Sequence, residues 1–448
     1  MSITGQWIRW STASTNRKIF SATAIIVLLT LGTKFVSMGK DFVVAAYFGT
    51  GDALDAFFMA FLLPAFIINV VGGSFNAALI PTYIQVREKE GLIAAKRLFS
   101  SAMVLSIGLL AIATLVIVFA APYYLPLVAS GFSSEKMELT RRLLYVFSPI
   151  IVLCGVKTMW GAVLNAGEQF SLVAISPVIT PVVNIFSLAF CNKSWGIMVL
   201  TVGTVCGMAL ESILLAFALK RQGIFLFPRW HGIDGKLRQV MGQYLPMISG
   251  SFLMSSTVIV DQAMAAMLGP GSVSALNYGN KLIAFPIGLA ITGLGTAVVP
   301  YFSKMVACKD WIGIRNTLRR YLVLIFSTTI PLTIGLFFCS EYLVRIVYQR
   351  GLFTAEDTRL VSHIQSLYAI QIPFCIAGIL VVRLISSMLA NYILMIANII
   401  SVILNVVLNY LFMKKIGVAG IALSTSCVYI VACLFLYLSW WRLSGETE

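Results

Sequence analysis

The apolar positions of this chain follow neither the strict alternation of a half-buried strand nor the one-sided stripe of a surface helix. They form continuous runs of about 20 residues or more, each long enough to cross the hydrocarbon core of a bilayer as a helix. Read between their polar punctuation, the runs fall near residues 20–47, 55–81, 99–120, 143–164, 170–191, 195–219, 244–268, 273–302, 319–338, 361–386, 391–412 and 416–440. Hydrocarbon offers no partner to backbone N–H and C=O groups, so such runs must be helical. The pattern therefore predicts an all-α integral membrane protein with about 12 transmembrane helices.

The runs repeat. YFGTGDALDAFFMAFLLPAFIINVVGGSFNAALIP, Tyr47 to Pro81, is answered by MLGPGSVSALNYGNKLIAFPIGLAITGLGTAVVP, Met267 to Pro300, 220 residues later. Gly131-Phe132 answers Leu352-Phe353 and Asn184 answers Asn405 at nearly the same offset. Six spans per copy is an even number, so both copies enter the membrane from one side, as a parallel repeat about an axis along the membrane normal. The expected organisation is a six-helix lobe over residues 1–222, a cytoplasmic amphipathic linker over 223–243, and a second six-helix lobe over 244–448. The two pseudo-symmetric lobes would face each other across a central cavity.

Composition narrows the class. Of 448 residues, 59% are hydrophobic and 11% charged, with a mean hydropathy of +0.93. A soluble domain carries about 25% charged residues, and a disordered chain is poor in apolar ones, so neither description fits. A net charge of +15 invites a nucleic-acid partner. A nucleic-acid binder gathers its charge on one polar face, whereas these residues are strewn between apolar runs, and no nucleic acid is expected. Placing the N-terminus in the cytoplasm gives a two-to-one excess of basic residues on the inside, as the positive-inside rule requires. Both termini are then cytoplasmic, and Trp7, Trp10, Trp195, Trp440 and Trp441 fall near span ends. Arg9, Arg17 and Lys18 precede an apolar run with no small-residue cleavage site, which reads as an uncleaved first span.

Five basic residues fall within spans: Lys34, Lys40, Lys157, Lys281 and Arg383. A charge at the bilayer centre costs about 2.5–3.5 kcal/mol on insertion scales, so each needs a watery cavity or a partner. Lys34 and Lys40 share the first span with Asp41, Asp55 opens the second, and Lys281 stands in the eighth, so lysines from opposite lobes would rim one cavity. Such a rim suits a phosphate or pyrophosphate, which lysine binds as a point charge. Lys40, Lys157 and Arg383 also suit snorkelling to an interface. Glu211 in span six and Asp261 in span seven have no basic neighbour one turn away. Asn405 and Asn409 share a face of span eleven, and span twelve carries Ser424 and Thr425. With Asp261 these oxygens would make a site for a hard monovalent cation or a proton, while the same residues would also serve interhelical hydrogen bonding.

Other chemistries are excluded by what is missing. The eight cysteines stand singly without CxxC pairs, and only His231 and His363 are present, so no metal or disulfide framework is expected. There is no GxxxxGK[ST] loop for nucleotide phosphates, and no nucleophile or paired-carboxylate set for an enzyme.

Four stretches carry a family resemblance: GKDFVVAAYFGTGDALDAFFMAFLLP (Gly39–Pro64), GAVLNAGEQFSLVAISPVITPVVNI (Gly161–Ile185), GSVSALNYGNKLIAFPIGLAITGLGTAVVPYFSK (Gly271–Lys304) and YQRGLFTAEDT (Tyr348–Thr358). In them the chain resembles the MurJ (MviN) family of lipid II flippases, within the multidrug/oligosaccharidyl-lipid/polysaccharide exporter superfamily. The resemblance implies alternating access by two rocking lobes that carry an undecaprenyl-pyrophosphate-linked saccharide to the outer leaflet of the bacterial cytoplasmic membrane. The family's cavity arginines map onto Lys34, Lys40 and Lys281, and its acidic residue at the start of span two maps onto Asp55. Another family arginine, in mid-span two, falls at Ile68 or Asn69 and is missing. Members with a sodium site build it among spans seven, eleven and twelve, where Asp261, Asn405, Asn409 and Thr425 lie, with sodium or a proton as coupling ion and no other cofactor. Members that flip the peptidoglycan precursor typically have fourteen spans against twelve here, and the loop between spans ten and eleven is reduced to about Ser387–Tyr392. Both differences lean toward a capsule, O-antigen or exopolysaccharide unit on the same carrier. The alternative transporter is a cation-coupled multidrug exporter, which wants an acidic, aromatic pocket. Membrane lipids and an envelope glycan polymerase are the partners a flippase implies.

Overall fold

The structure, a computed structural model, describes residues 15–167, 169–221, 223, 228–388 and 390–446. Trp7, Arg9 and Trp10 lie outside these residues, as does part of the expected linker. In chain order the helices are α1 (Thr15–Phe48), α2 (Asp52–Ile67), α3 (Ser74–Glu90), α4 (Leu92–Val128), α5 (Ser134–Phe147), α6 (Pro149–Ala166), α7 (Phe170–Ile175), α8 (Ile179–Trp195) and α9 (Ile197–Arg221). They continue as α10 (Gly235–Ala266), α11 (Ser272–Ala307), α12 (Trp311–Phe338), α13 (Ser340–Tyr348), α14 (Ala355–Ala369), α15 (Gln371–Ser387), α16 (Asn391–Ile416) and α17 (Val418–Glu446). The described residues form no strand, so the fold is all-α and membrane-spanning, as the apolar runs predict.

Among the described residues nine helical stretches are long and apolar enough to cross a membrane. The other three expected spans lie on α1, α10 and α11, which are 34, 32 and 36 residues long. These three helices carry Lys34, Lys40, Asp41, Asp261 and Lys281, the polar residues singled out above. Several expected spans are jointed. The second runs through α2, a six-residue π-helical stretch Ile68–Gly73 and α3, with Pro64 in its path. Proline deletes one backbone donor and crowds the preceding turn, and such a span accommodates it by a local change of helical register. Spans four and ten are both broken, at Ser148–Pro149 between α5 and α6 and at Ile370 between α14 and α15. The two breaks lie at corresponding places in the two copies of the repeat. The stretch expected to be a linker is helical from Gly235, where Asp234 accepts from the Leu237 N–H at 2.8 Å and caps α10.

The helices fall into two compact units. The first comprises residues up to Val44, Leu63–Ala121 and Arg142–Ile248. Its core gathers Phe75, Tyr83, Leu98, Phe99, Met159, Leu215 and Tyr244 from α3, α4, α6, α9 and α10. Lys96 Nζ donates to the Gly223 carbonyl at 2.8 Å and the His231 N–H to Ser101 Oγ at 3.1 Å, which fastens the polar connection to the start of α4. The second unit comprises Ala45–Leu62, Pro122–Arg141 and Ser249–Glu448, so it takes in the ends of four first-copy helices, α1, α2, α4 and α5. Within it α14 packs on α11 and α17, α15 on α11 and α17, and α16 on α17.

The repeat is visible in how those ends meet. A Cβ on Gly131 would stand 2.3 Å from the Ala266 carbonyl oxygen, and one on Gly351 would stand 2.2 Å from that of Ala46. Gly131 and Gly351 are 220 residues apart, and so are Ala46 and Ala266. Each copy thus pushes a side-chain-free turn against the backbone of the other copy's first helix. At Gly351 the backbone is also left-handed, with φ +58°, and the Leu352 N–H donates to the Ala46 carbonyl at 2.9 Å.

Gly351→Ala should therefore destabilise the protein by about 2 kcal/mol or more, because a strained φ for a non-glycine residue adds to a backbone clash. Thermal unfolding in detergent measures it. Gly108→Ala, with nothing within 4 Å of its Cβ, is the control expected to stay near wild type.

Candidate functional site

The lysines expected to meet an anion sit on α1 and α11. Lys34 and Lys40 belong to the first unit and Lys281 to the second. All three are partly buried. Lys40, rather than Lys34, takes the nearby carboxylate: its Nζ lies 2.9 Å from Asp41 Oδ1. Lys281 Nζ stands 5.4 Å from the ring centres of both Phe58 and Tyr278. Aromatic faces at that range attract a cation, so the Lys281 ammonium has a favourable seat inside an apolar helix layer.

Asp55 has a different place from the one expected for a substrate contact. It is 0% exposed, and both carboxylate oxygens are occupied by the protein. Oδ2 accepts from the Gly271 N–H at 2.7 Å and from Lys136 Nζ at 2.8 Å, and Oδ1 accepts from the Ser274 N–H at 2.7 Å. Gly271 is the N-cap of α11. The first N–H groups of a helix have no partner within it and carry a partial positive charge, so the Asp55 carboxylate caps α11 from the first-copy helix α2. Lys136, in the first turn of α5, completes the arrangement. Its Nζ also bridges to Asp52 at 2.6 Å and lies 4.0 Å from the Phe132 ring centre. Asp55 is thus a clamp between the two copies of the repeat.

Glu211 and Lys157 are each other's partners. They lie 54 residues apart on α9 and α6, and Lys157 Nζ reaches Glu211 Oε2 at 3.0 Å. Thr180 Oγ1 adds a longer contact at 3.4 Å, while Glu211 Oε1 is buried without a partner. Arg383 is exposed on α15.

Asp261, Asn405, Asn409 and Thr425 come together as the spacing predicts, from α10, α16 and α17 in the second unit. Asp261 Oδ1 accepts from Asn405 Nδ2 at 2.9 Å and from Asn409 Nδ2 at 2.7 Å, and Oδ2 accepts from Thr425 Oγ1 at 3.2 Å. Asn405 Oδ1 accepts from Asn409 Nδ2 at 3.3 Å, and Ser424 Oγ makes a long bond to the Asn405 carbonyl at 3.5 Å. The carboxylate is buried and every hydrogen bond it receives comes from a neutral group. The side chains gathered here carry the oxygens a hard cation takes, and in this arrangement the two amides turn N–H and Thr425 its O–H toward the carboxylate. Tyr368 of α14 and Tyr429 of α17 also stand at this site, with the Tyr368 hydroxyl facing Thr425. Sequence reasoning missed both, since buried tyrosines in apolar helices look like core. The eight cysteines are all free thiols.

Breaking the clamp has a measurable cost. Asp55→Ala would leave two helix-terminal N–H groups unanswered and Lys136 half-compensated, and removing one partner of a buried pair costs about 3–5 kcal/mol. The melting temperature in detergent should fall accordingly, with Asp55→Asn intermediate.

A family model described as lipid II flippase MurJ matches residues 44–444. Among curated relatives, the probable lipid II flippase MurJ of Synechocystis is 24% identical over 96% of this chain and 83% of its own length. That of Thermotoga maritima is 27% identical over 91% and 83%. Among solved structures, one described as lipid II flippase MurJ in an inward closed conformation superposes with a TM-score of 0.79 at 24% identity, covering 93% of this chain and 87% of the other. An inward-facing multidrug resistance MATE family transporter of the MOP superfamily superposes with a TM-score of 0.74 at 14% identity, covering 94% and 98%. At these identities the two structures share the fold.

Proposed function

Since this chain belongs to the lipid II flippase MurJ family, we propose that it carries lipid II, a polyprenyl-pyrophosphate-linked saccharide, from the inner to the outer leaflet of the bacterial cytoplasmic membrane. The observation that carries the reading is the set of lysines kept within spans. Lys34 and Lys40 on α1 and Lys281 on α11 are three of the five basic residues placed within the apolar spans, and the three expected to meet an anion. A pyrophosphate moving through an apolar protein needs counter-charge along its way, and ammonium groups supply it without the fixed geometry of a guanidinium fork. No covalent chemistry is asked of the protein, and the reading is a flippase rather than an enzyme. The termini are taken as cytoplasmic, and a glycan polymerase on the outer side is the activity that would consume the product.

Alternating access requires contacts that make and break. The Asp55 clamp fits that requirement: one carboxylate joins the end of a first-copy span to the N-terminus of a second-copy helix by two bonds, with a third from Lys136 of the first copy. Asp261 with Asn405, Asn409 and Thr425 is the proposed coupling site for sodium or a proton. A drug-exporting reading rests only on shared fold, and lysine-bearing spans disfavour a cationic cargo.

Two experiments test this. Reconstituted vesicles loaded with lipid II should show translocation falling roughly tenfold or more for each of Lys34→Ala, Lys40→Ala and Lys281→Ala, since a charge-assisted bond is worth about 1.5–3 kcal/mol. Wild-type flipping by the triple variant would end the anionic-cargo reading. In the same vesicles Asp261→Asn should flatten the dependence of the rate on sodium or pH, and an unchanged dependence removes Asp261 from coupling.

A further inference from the structure

Gln365 on α14 is 0% exposed, and neither its Oε1 nor its Nε2 meets a hydrogen-bond partner. A side-chain amide offers two donors and a carbonyl with two lone pairs, and buried polar groups left wholly unmet are rare enough in proteins to demand an explanation. The surroundings supply one. Three residues on, Tyr368 faces Thr425, and the carbonyl of Leu367 accepts from Ser426 Oγ at 2.7 Å, so this part of α14 lies along α17 at the level of the Asp261 site. Residues three apart share a helix face, which puts Gln365 one turn from that level.

The direction of the displacement follows from the packing. Further along the same span Gly378 meets Cys433, which lies later on α17 than Thr425. The α14–α15 span and α17 therefore run parallel, and Gln365 lies from Thr425 toward the Gly417 turn where α17 begins. Asn409 departs in the same direction, since α16 ends at that turn and Asn409 follows Asn405 by one helical turn. Its Nδ2 is spent on Asp261, and its Oδ1 is buried without a partner. Two unmet amide oxygens thus lie toward the Gly417 end, Asn409 Oδ1 on the amide that bonds the carboxylate through Nδ2 and Gln365 Oε1 one turn of α14 from Tyr368.

We propose that Gln365 Oε1 and Asn409 Oδ1 form a second station for a partly hydrated monovalent cation, through which the ion passes to and from Asp261. This rests on the reading of Asp261 as the coupling site and adds Gln365 as a residue that sets affinity and selectivity. The amide oxygens attract a cation without holding it as a carboxylate would, so an ion can move on from them. A neutral station next to a charged one also makes exit possible.

The test is sodium binding to the purified full chain in detergent, measured with radioactive sodium and with lithium and potassium as competitors. Gln365→Leu should weaken sodium binding about tenfold, equivalent to about 1.4 kcal/mol, and change the order of preference among the three ions. Gln365→Glu, which keeps the shape and adds charge, should tighten it; this variant decides the matter if the leucine variant does not fold. Asp261→Asn should abolish binding. Wild-type affinity and selectivity in the Gln365 variants, with binding lost in Asp261→Asn, would overturn the second station and leave the coupling site standing. Failure of the wild type to bind any of the three ions would overturn both.

Discussion

Charge inside an apolar helical protein has to be answered within a few ångströms, and this condition organises the molecule. Asp55 is met by Lys136 and two N–H groups at the head of α11, Glu211 by Lys157, and Asp41 by Lys40. The first two of these pairings join helices that apolar packing alone would leave free to slide, because apolar side chains against apolar helices specify register weakly, while Lys40 and Asp41 pair within α1. The clamp at Asp55 has the widest reach. It ties α2 to α11, 216 residues apart, and so draws the ends of first-copy helices into the compact unit built mainly from the second copy.

Small residues do the complementary work. Gly131 and Gly351 let backbones touch where the two copies cross, and any side chain at either place would force them apart. Close backbone approach through small residues is the usual means of tight association between helices in membranes. The polar clamp and the glycine contacts lie in the same unit, so the meeting of the copies is fixed both by charge and by shape. A transporter that alternates between states needs such a closure to be definite yet made of few contacts, and a carboxylate with three bonds beside two bare turns meets that description.

Much of this was legible in the sequence, and the limits are physical. Apolar runs report spans because the bilayer sets their length, and the 220-residue repeat reports two copies because the same turns recur at the same spacing. The Asp261 cluster was legible for a related reason: an acid, two amides one turn apart and a hydroxyl, each in an otherwise apolar helix, have few ways to be satisfied except together. Asp55 and Lys136 were not legible as a pair. They and their partners lie at the starts of three separate helices, and no periodicity links residues 81 positions apart. Lys157 and Glu211 failed to show for the same reason, since one turn along a helix is as far as sequence spacing reaches. Tyr368 and Gln365 were hidden by a different effect: in a chain this apolar, buried tyrosine and glutamine on α14 are indistinguishable from ordinary packing until their partners, or the lack of them, are seen.

The two copies differ at the position proposed for coupling. Asp41 and Asp261 correspond across the repeat, as do Asn184 and Asn405, and Thr204 and Thr425. In the first copy Asn184 and Thr204 bond to each other at 3.1 Å, and Asp41 is paired with the lysine beside it. The residue beside Asp261 is Val260, and the hydrogen bonds that reach its carboxylate come from amides and a hydroxyl. A carboxylate neutralised by a resident ammonium has no call on an external cation, since the two would compete for the same oxygens. One held only by neutral donors has no resident counter-charge, so its oxygens are open to a small cation or a proton. The corresponding residues are thus met by one another and by a lysine in the first copy, whereas in the second only neutral groups meet the carboxylate, which is why ion coupling is sought there.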